Sequence, residues 1–192
     1  MSIDVVRPGL LTTLQDLGRP GRQHLGVPVN GAMDEISHRL ANMLVGNDER
    51  EATLELTLHG PTLRFQEDVV IALCGPNMGG AVDGEALPWW RPVRVPAGAM
   101  LEFGRPEIGC RAYLAVAGGF DVPEVLGSRS TALAGSARCP QLARRTVVKG
   151  GKTLQYYVDA RDQRNRPAAS SGSAANPYVI LVQGTGPEVA NG

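Results

Sequence analysis

Between Gln15 and Asp34 the chain reads QDLGRPGRQHLGVPVNGAMD, and polar side chains able to do chemistry crowd into this one segment. Gln15, Asp16, Arg19, Arg22, Asn30 and Asp34 stand among closely spaced glycines, and glycine lets a backbone approach a ligand closely. Carboxylates, guanidiniums and carboxamides together can orient a carbonyl or carboxylate group and stabilise negative charge that develops on it. The plain structural alternative is that Asp16 and Arg19 pair to hold the loop together and Asp34 only caps the next helix. A second cluster, Gly127-Ser128-Arg129-Ser130-Thr131, carries hydroxyls and an arginine suited to a carboxylate, phosphate or carbonyl. Its plain alternative is a tight turn whose hydroxyls satisfy backbone groups. Gly75-Pro76-Asn77 follows an apolar run and either lines a pocket or turns the chain.

Other chemistries are disfavoured. Gly151-Lys152-Thr153 resembles the end of a phosphate-binding loop, but the glycine required five residues before Gly151 is Thr146, and no helical pattern follows. His24, His38 and His59 have no metal-ligand spacing and read as solvated or hydrogen-bonded surface histidines, so no metal site is expected. A Gly-x-Ser-x-Gly elbow is missing, which argues against a self-contained nucleophilic hydrolase. Cys74, Cys110 and Cys139 are odd in number and widely spaced, matching neither a disulfide framework nor a zinc pattern. Cys74 and Cys110 sit in apolar runs and read as reduced core residues.

The elements that must position these clusters are mostly short strands. The 192 residues include 24 glycines and 14 prolines, a density of turn formers that disfavours a helix bundle. One helix stands out after the polar loop. Asp34 is its N-cap, Ile36, Leu40 and Leu44 form its apolar stripe, Glu35, His38, Arg39 and Asn42 its polar face, and Gly46-Asn47 its C-cap. From Ala52 the period changes to two, with alternation at 53–58 and again at Leu63 and Phe65. Residues 69–74 form an unbroken apolar strand of the kind covered on both faces, and 111–116 another strong strand. Many short strands with one long helix predict a mainly β fold, a barrel or sandwich. Beyond Thr131 the pattern weakens. Residues 146–148 and 154–158 read as hairpin arms around Gly150-Gly151, 159–177 as a polar linker, and 178–182 as a strand beginning a second unit that ends at residue 192.

Charge and hydropathy narrow the setting. Nineteen basic residues balance nineteen acidic ones, leaving no net field to attract nucleic acid or an anionic membrane. No apolar run approaches the ~20 residues needed to cross a bilayer. The start, MSIDVVR, lacks a signal-peptide pattern, so the expectation is a cytoplasmic protein.

Six blocks in order then resemble one family. PGLLTTLQDLGR (8–19), GVPVNGAMD (26–34), ANMLVGN (41–47), LELTLHGP (54–61), RAYLAVAGGFDVP (111–123) and LGSRST (126–131) are similar to the KipA-like proteins. These are also called allophanate hydrolase subunit 2 or the C-type subunit of 5-oxoprolinase, and they are related to biotin-dependent carboxyltransferases. The resemblance implies a cyclophilin-like β-barrel subdomain over 1–158, a linker over 159–177, and over 178–192 the start of a second subdomain that is otherwise missing. Two departures stand out. The family's Gly-rich stretch after the last block is replaced here by AGSARCPQLARR, with Lys149 to Leu154 matching only loosely, and family members are expected to continue through the second subdomain that this chain only starts.

The resemblance further implies work in a complex with a KipI-like partner and a LamB/YcsF-like partner. That assembly opens the lactam of 5-oxoproline to glutamate at the expense of ATP, and the isolated chain is expected to be inactive. On this reading Gln15, Asp16 and Arg19 are the catalytic candidates. Asn30, Asp34, Asn77, Ser128, Arg129, Ser130 and Thr131 are the substrate-binding candidates, with Arg19 and Arg129 as donors for developing negative charge. Two alternatives stay open. One is the carboxyltransferase component of a urea carboxylase, with biotin on a separate carrier. The other is a non-catalytic module that binds the KipI-like partner.

Overall fold

The computed structural model describes residues 3–132 and, beyond them, four strand segments. Those segments, β11 (Leu154–Tyr156), β12 (Val158–Arg161), β13 (Pro167–Ser171) and β14 (Tyr178–Ile180), pair antiparallel as β11 with β14 and β12 with β13. The hairpin arm expected at 146–148 and its Gly150-Gly151 turn lie outside the described residues, as do the remaining parts of the expected linker and second unit.

Two five-stranded antiparallel sheets make up the described fold. The first runs β1 (Ile3–Arg7), β4 (Thr62–Phe65), β9 (Met100–Glu102), β6 (Ala81–Val82) and β7 (Glu85–Ala86). The second runs β2 (Leu11–Gln15), β3 (Thr53–Thr57), β10 (Arg111–Val116), β5 (Val69–Cys74) and β8 (Pro92–Val95). Mainly β with one helix is therefore what folds, but the strands pair as two separate sheets and do not close into one barrel. Alternation explains the packing, because side chains two apart in a strand share a face. Ile3, Val5, Leu63, Phe65 and Leu101 from the first sheet meet Leu14, Leu54, Leu56, Ile71, Leu73, Leu114 and Val116 from the second in one buried core.

The second sheet's other face carries Gln15, Thr53, Glu55, Tyr113 and Cys74, and helix α1 (Glu35–Leu44) lies over it. Asp34 caps the helix by accepting from the Ser37 N–H at 3.1 Å. Here the structure overturns most of the sequence expectation. Ser37, His38, Ala41 and Asn42 are buried, whereas Ile36 and Met43 are 72% and 60% exposed, and Leu40 is exposed as well. Of the predicted stripe only Leu44 packs inward, against Ala41, Cys74, Tyr113 and Ala115; the rest of the sheet face beneath the helix is polar. His38 Nδ1 lies 2.8 Å from Thr53 Oγ1, and Asn42 Nδ2 donates to the Glu51 carbonyl at 2.7 Å. Polar groups that meet polar groups satisfy both sides, which an apolar stripe could not do.

Candidate functional site

The polar loop and the 127–131 cluster, more than a hundred residues apart in sequence, meet at Asp16. Its Oδ1 accepts from the Gly18 N–H (2.7 Å), Ser128 Oγ (2.7 Å) and Ser130 Oγ (2.5 Å), and its Oδ2 from the Arg129 N–H (2.5 Å). The Asp16 N–H in turn donates to Ser130 Oγ at 2.9 Å. Asp16, Ser128 and Ser130 are all buried.

The backbone is shaped to allow this. Val125 and Ser128 exchange hydrogen bonds around Leu126 and Gly127, whose φ angles of 57° and 82° form a two-residue turn. A left-handed conformation is unusual for leucine, so this turn is held by what it joins. The returning segment runs beside β2, the edge strand of its sheet, with the Thr131 N–H donating to the Leu14 carbonyl at 2.8 Å. On the other side, residues 16–19 lie against 29–32, through Arg19 N–H to the Val29 carbonyl and Ala32 N–H to the Asp16 carbonyl. Glycine is needed there: a Cβ on Gly18 would stand 2.6 Å from the Val29 carbonyl oxygen.

Arg19 does not pair with Asp16. Its guanidinium donates to the carbonyls of Val125 (3.2 Å) and Ser130, and the residue is 4% exposed. Arg129 donates through Nε to the Val122 carbonyl and pairs with Glu124 at 3.1 Å, with Glu51 further off at 4.0 Å. Gln15 donates through Nε2 to Thr13 Oγ1 (3.0 Å) and the Thr131 carbonyl (3.3 Å). A carbonyl can only accept, so the amide nitrogen must face it. That leaves Gln15 Oε1 buried without a hydrogen-bond partner, and Asn30 Nδ2 is in the same condition.

A second buried polar set lies under the helix entrance. Tyr113 donates its hydroxyl to Glu55 Oε2 (2.8 Å) and accepts from the Asp34 N–H (2.7 Å), while Glu55 also accepts from the Met33 N–H and Arg111 Nε. Burial pushes the Tyr113 hydroxyl well above its ordinary range and the Cys74 thiol up to about 12, so both stay protonated. His38 is fully buried, and burial lowers its pKa below 6.5 despite the opposing charge of Asp16. The Glu49 carbonyl also favours a proton on the ring, yet Nε2 has no hydrogen-bond partner. Its expected place on a solvated face is thus corrected: the ring stands edge-on to Tyr113, between helix and sheet.

Comparison with known proteins now decides the family. Residues 25–185 match the carboxyltransferase domain, subdomain A and B. This chain is a member of that carboxyltransferase-domain family. Over 131 residues it is 46% identical to the urea amidolyase of Saccharomyces cerevisiae, covering 68% of this chain and 7% of that protein. Over 133 residues it is 44% identical to the C-type subunit of 5-oxoprolinase from Escherichia coli, covering 68% of this chain and 42% of the relative. The crystal structure of the K. lactis urea amidolyase superposes with a TM-score of 0.71 at 41% identity, covering 76% of this chain and 9% of that one. The chain thus spans less than half the length of either curated relative.

Within this carboxyltransferase-type chain, Gln15, Asp16, Arg19, Ser128, Arg129, Ser130 and Thr131 come together in one joint, with Asn30 on the adjoining pass of chain. Asp34 stands apart as the helix cap. Asn77 is not brought in. It follows β5 at the end where Cys74 pairs with Tyr113, away from the Gln15 end of the sheet, and its exposed side chain accepts from the Gly79 N–H at 2.8 Å. His24 and His59 are exposed, in line with their sequence reading, but Cys110 is exposed rather than core. Sequence reasoning missed Glu55, Tyr113 and Thr53 as members of a buried polar layer. The available signal was the run of polar residues at 53, 55 and 57 on one face of a strand that a helix then covers. Among the described residues no group of three or more His, Cys, Asp or Glu side chains could hold a metal ion, and no helix is long and apolar enough to cross a membrane.

Proposed function

We propose that the chain is the C-type component of an ATP-dependent 5-oxoprolinase assembly, contributing one wall of the pocket in which 5-oxoproline is hydrolysed to glutamate. The observation that carries this reading is the Asp16 joint. Its carboxylate accepts from four donors, its serine hydroxyls are buried, and its arginines are held by carbonyls and carboxylates. No exposed nucleophile or free base remains in it, so the joint positions backbone and does not cleave a bond by itself. A chain of that kind needs partners, here one KipI-like and one LamB/YcsF-like, with ATP hydrolysed in the assembly and all three in the cytoplasm. The likeness to a 5-oxoprolinase component supports the choice of reaction.

In this reading Asp16 and Arg19 are positioning residues. They hold the 16–19 and 125–131 segments in register, so that the neighbouring Gln15 is presented in a fixed place. Gln15, with its unpartnered amide oxygen, orients the lactam together with Asn30, and this use requires the segment covering Gln15 to shift when substrate binds. The carboxyltransferase reading is supported by the urea amidolyase likeness. There the same carboxamides would face the ureido ring of biotin on a separate carrier.

The test is co-expression with the KipI-like and LamB/YcsF-like partners and measurement of glutamate release. Turnover is expected from the assembly and none from the isolated chain. Gln15→Leu should lower kcat/KM of the assembly by roughly tenfold or more, about the worth of one buried hydrogen bond. Glutamate release by the isolated chain would refute the reading. So would carboxylation of urea in the presence of biotin carboxylase and carrier, with no action on 5-oxoproline.

A further inference from the structure

A cleft among the described residues lies away from the Asp16 joint. It has a volume of about 1200 Å³ and lies over the outer face of β1 and β4, bounded by the Leu58–Gly60 turn and by Arg105-Pro106. Register places it: Asp4 pairs with Arg64, and Arg7 with Thr62, on the face opposite the core residues Val5 and Leu63. Leu10 and Leu58 lie at the Leu11–Thr57 end of the β2–β3 ladder, whereas Gln15 pairs with Thr53 at the other end. Four residues of strand separate the two ends, roughly 13 Å at the usual rise.

Charge sets this cleft apart. The chain as a whole is neutral, and several arginines elsewhere meet carboxylates: Arg39 with Glu35 and Glu49, Arg94 with Asp68, Arg111 with Glu55, Arg129 with Glu124. Arg7, Arg64 and Arg105 line the cleft and none of them has a carboxylate partner among the described residues; Arg64 touches only the Met100 sulfur. His59 stands beside them. The one acidic lining residue is Asp4, whose Oδ2 accepts from Gln66 at 2.6 Å and whose Oδ1 is buried. The three guanidiniums come from three separate stretches of chain, β1, β4 and the 104–109 loop. Each offers a planar fork of donors suited to phosphate oxygens. Exposed Val6, Leu10 and Leu58 supply apolar surface next to the charges.

We infer that this cleft is an anion site for an organic phosphate, its phosphate oxygens held by Arg7, Arg64 and Arg105 and its body lying against Val6, Leu10 and Leu58. A multiply charged phosphate matches three arginines lining one cleft better than a single carboxylate does, and the cleft volume is ample for a ligand of nucleotide size. The site is distinct from the Asp16 joint and does not depend on the reaction proposed for it.

The test is calorimetric titration of the full 192-residue protein at low salt with inorganic pyrophosphate and, separately, with ADP. Saturable binding at one site is expected, tighter for ADP than for pyrophosphate because of the apolar contacts. Arg7→Ala and Arg105→Ala should each weaken it by about tenfold, the size of one charge-assisted hydrogen bond. These side chains are exposed, so circular dichroism should show the fold retained. Arg22→Ala, which removes an exposed arginine outside the cleft, should leave binding unchanged. Non-saturable heats overturn the inference, as does an equal loss in Arg22→Ala, which would mark simple charge attraction. Binding of a poly-glutamate peptide with neither phosphate binding would also overturn it and mark the cleft as a peptide surface.

Discussion

Replacing Asp16 with asparagine probes the joint with the smallest change of shape. The side-chain oxygen that remains can keep the Oδ1 partners, Gly18 N–H, Ser128 Oγ and Ser130 Oγ, but the new amide nitrogen then faces the Arg129 N–H, donor against donor. One buried donor left unsatisfied costs about 1–3 kcal/mol. The three surviving bonds also lose their ionic character, which is worth up to about 1 kcal/mol apiece. Because bonds sharing one acceptor are not additive, a total near 3 kcal/mol is expected for Asp16→Asn. Against the ~5–15 kcal/mol that holds a domain together, this is a large fraction. Urea unfolding followed by circular dichroism reads it directly, with Ser130→Ala expected to lose about 1 kcal/mol as an internal comparison. An Asp16→Asn midpoint shift equivalent to less than about 0.5 kcal/mol would refute the account of the joint, because only a solvated carboxylate could be neutralised at so little cost.

Two further perturbations test the layer beneath the helix. His38 has a folded pKa below its ordinary 6.5, so the unfolded chain takes up the proton first as pH falls. Its neutral form is therefore at no disadvantage above pH 6.5, and stability is lost on acidification below that value, with a slope of at most about 1.4 kcal/mol per pH unit. His38→Gln should remove that slope, and a gap between wild type and variant that stays constant from about pH 8 to 5.5 would contradict it. Helix orientation is tested by a pair: Ile36→Lys, at a position 72% exposed, should change unfolding free energy by less than about 0.5 kcal/mol. Ala41→Asp, at a fully buried position, should cost about 3 kcal/mol or more, and the reverse ranking would mean that the apolar stripe faces the core after all.

Much of the fold was legible because its signals are local. Alternation at 53–57, the apolar run at 69–74 and the Asp34 cap each depend on neighbours within a few residues, and each forms as read. The polar character of the joint was legible too, since glycines and charged residues cluster visibly at 15–34 and 127–131. Its wiring was not. Asp16 finds Ser128 and Ser130 only because the Leu126-Gly127 turn folds the later segment along an edge strand, and that edge is free only because of sheet order.

The amino-acid sequence by itself determined a mainly β chain of this carboxyltransferase family, with one capped helix and two chemistry-bearing clusters. Tertiary structure alone decided the direction that helix faces, the exclusion of Asn77 from the joint and the gathering of Arg7, Arg64 and Arg105 in one cleft. The physical reason is the same in each case. Periodicity reports which residues share a face, but what that face meets depends on strands paired across many residues. A largely polar sheet surface turned Ile36 and Leu40 outward, and the partners of Asp16 were settled by the turn at Leu126-Gly127.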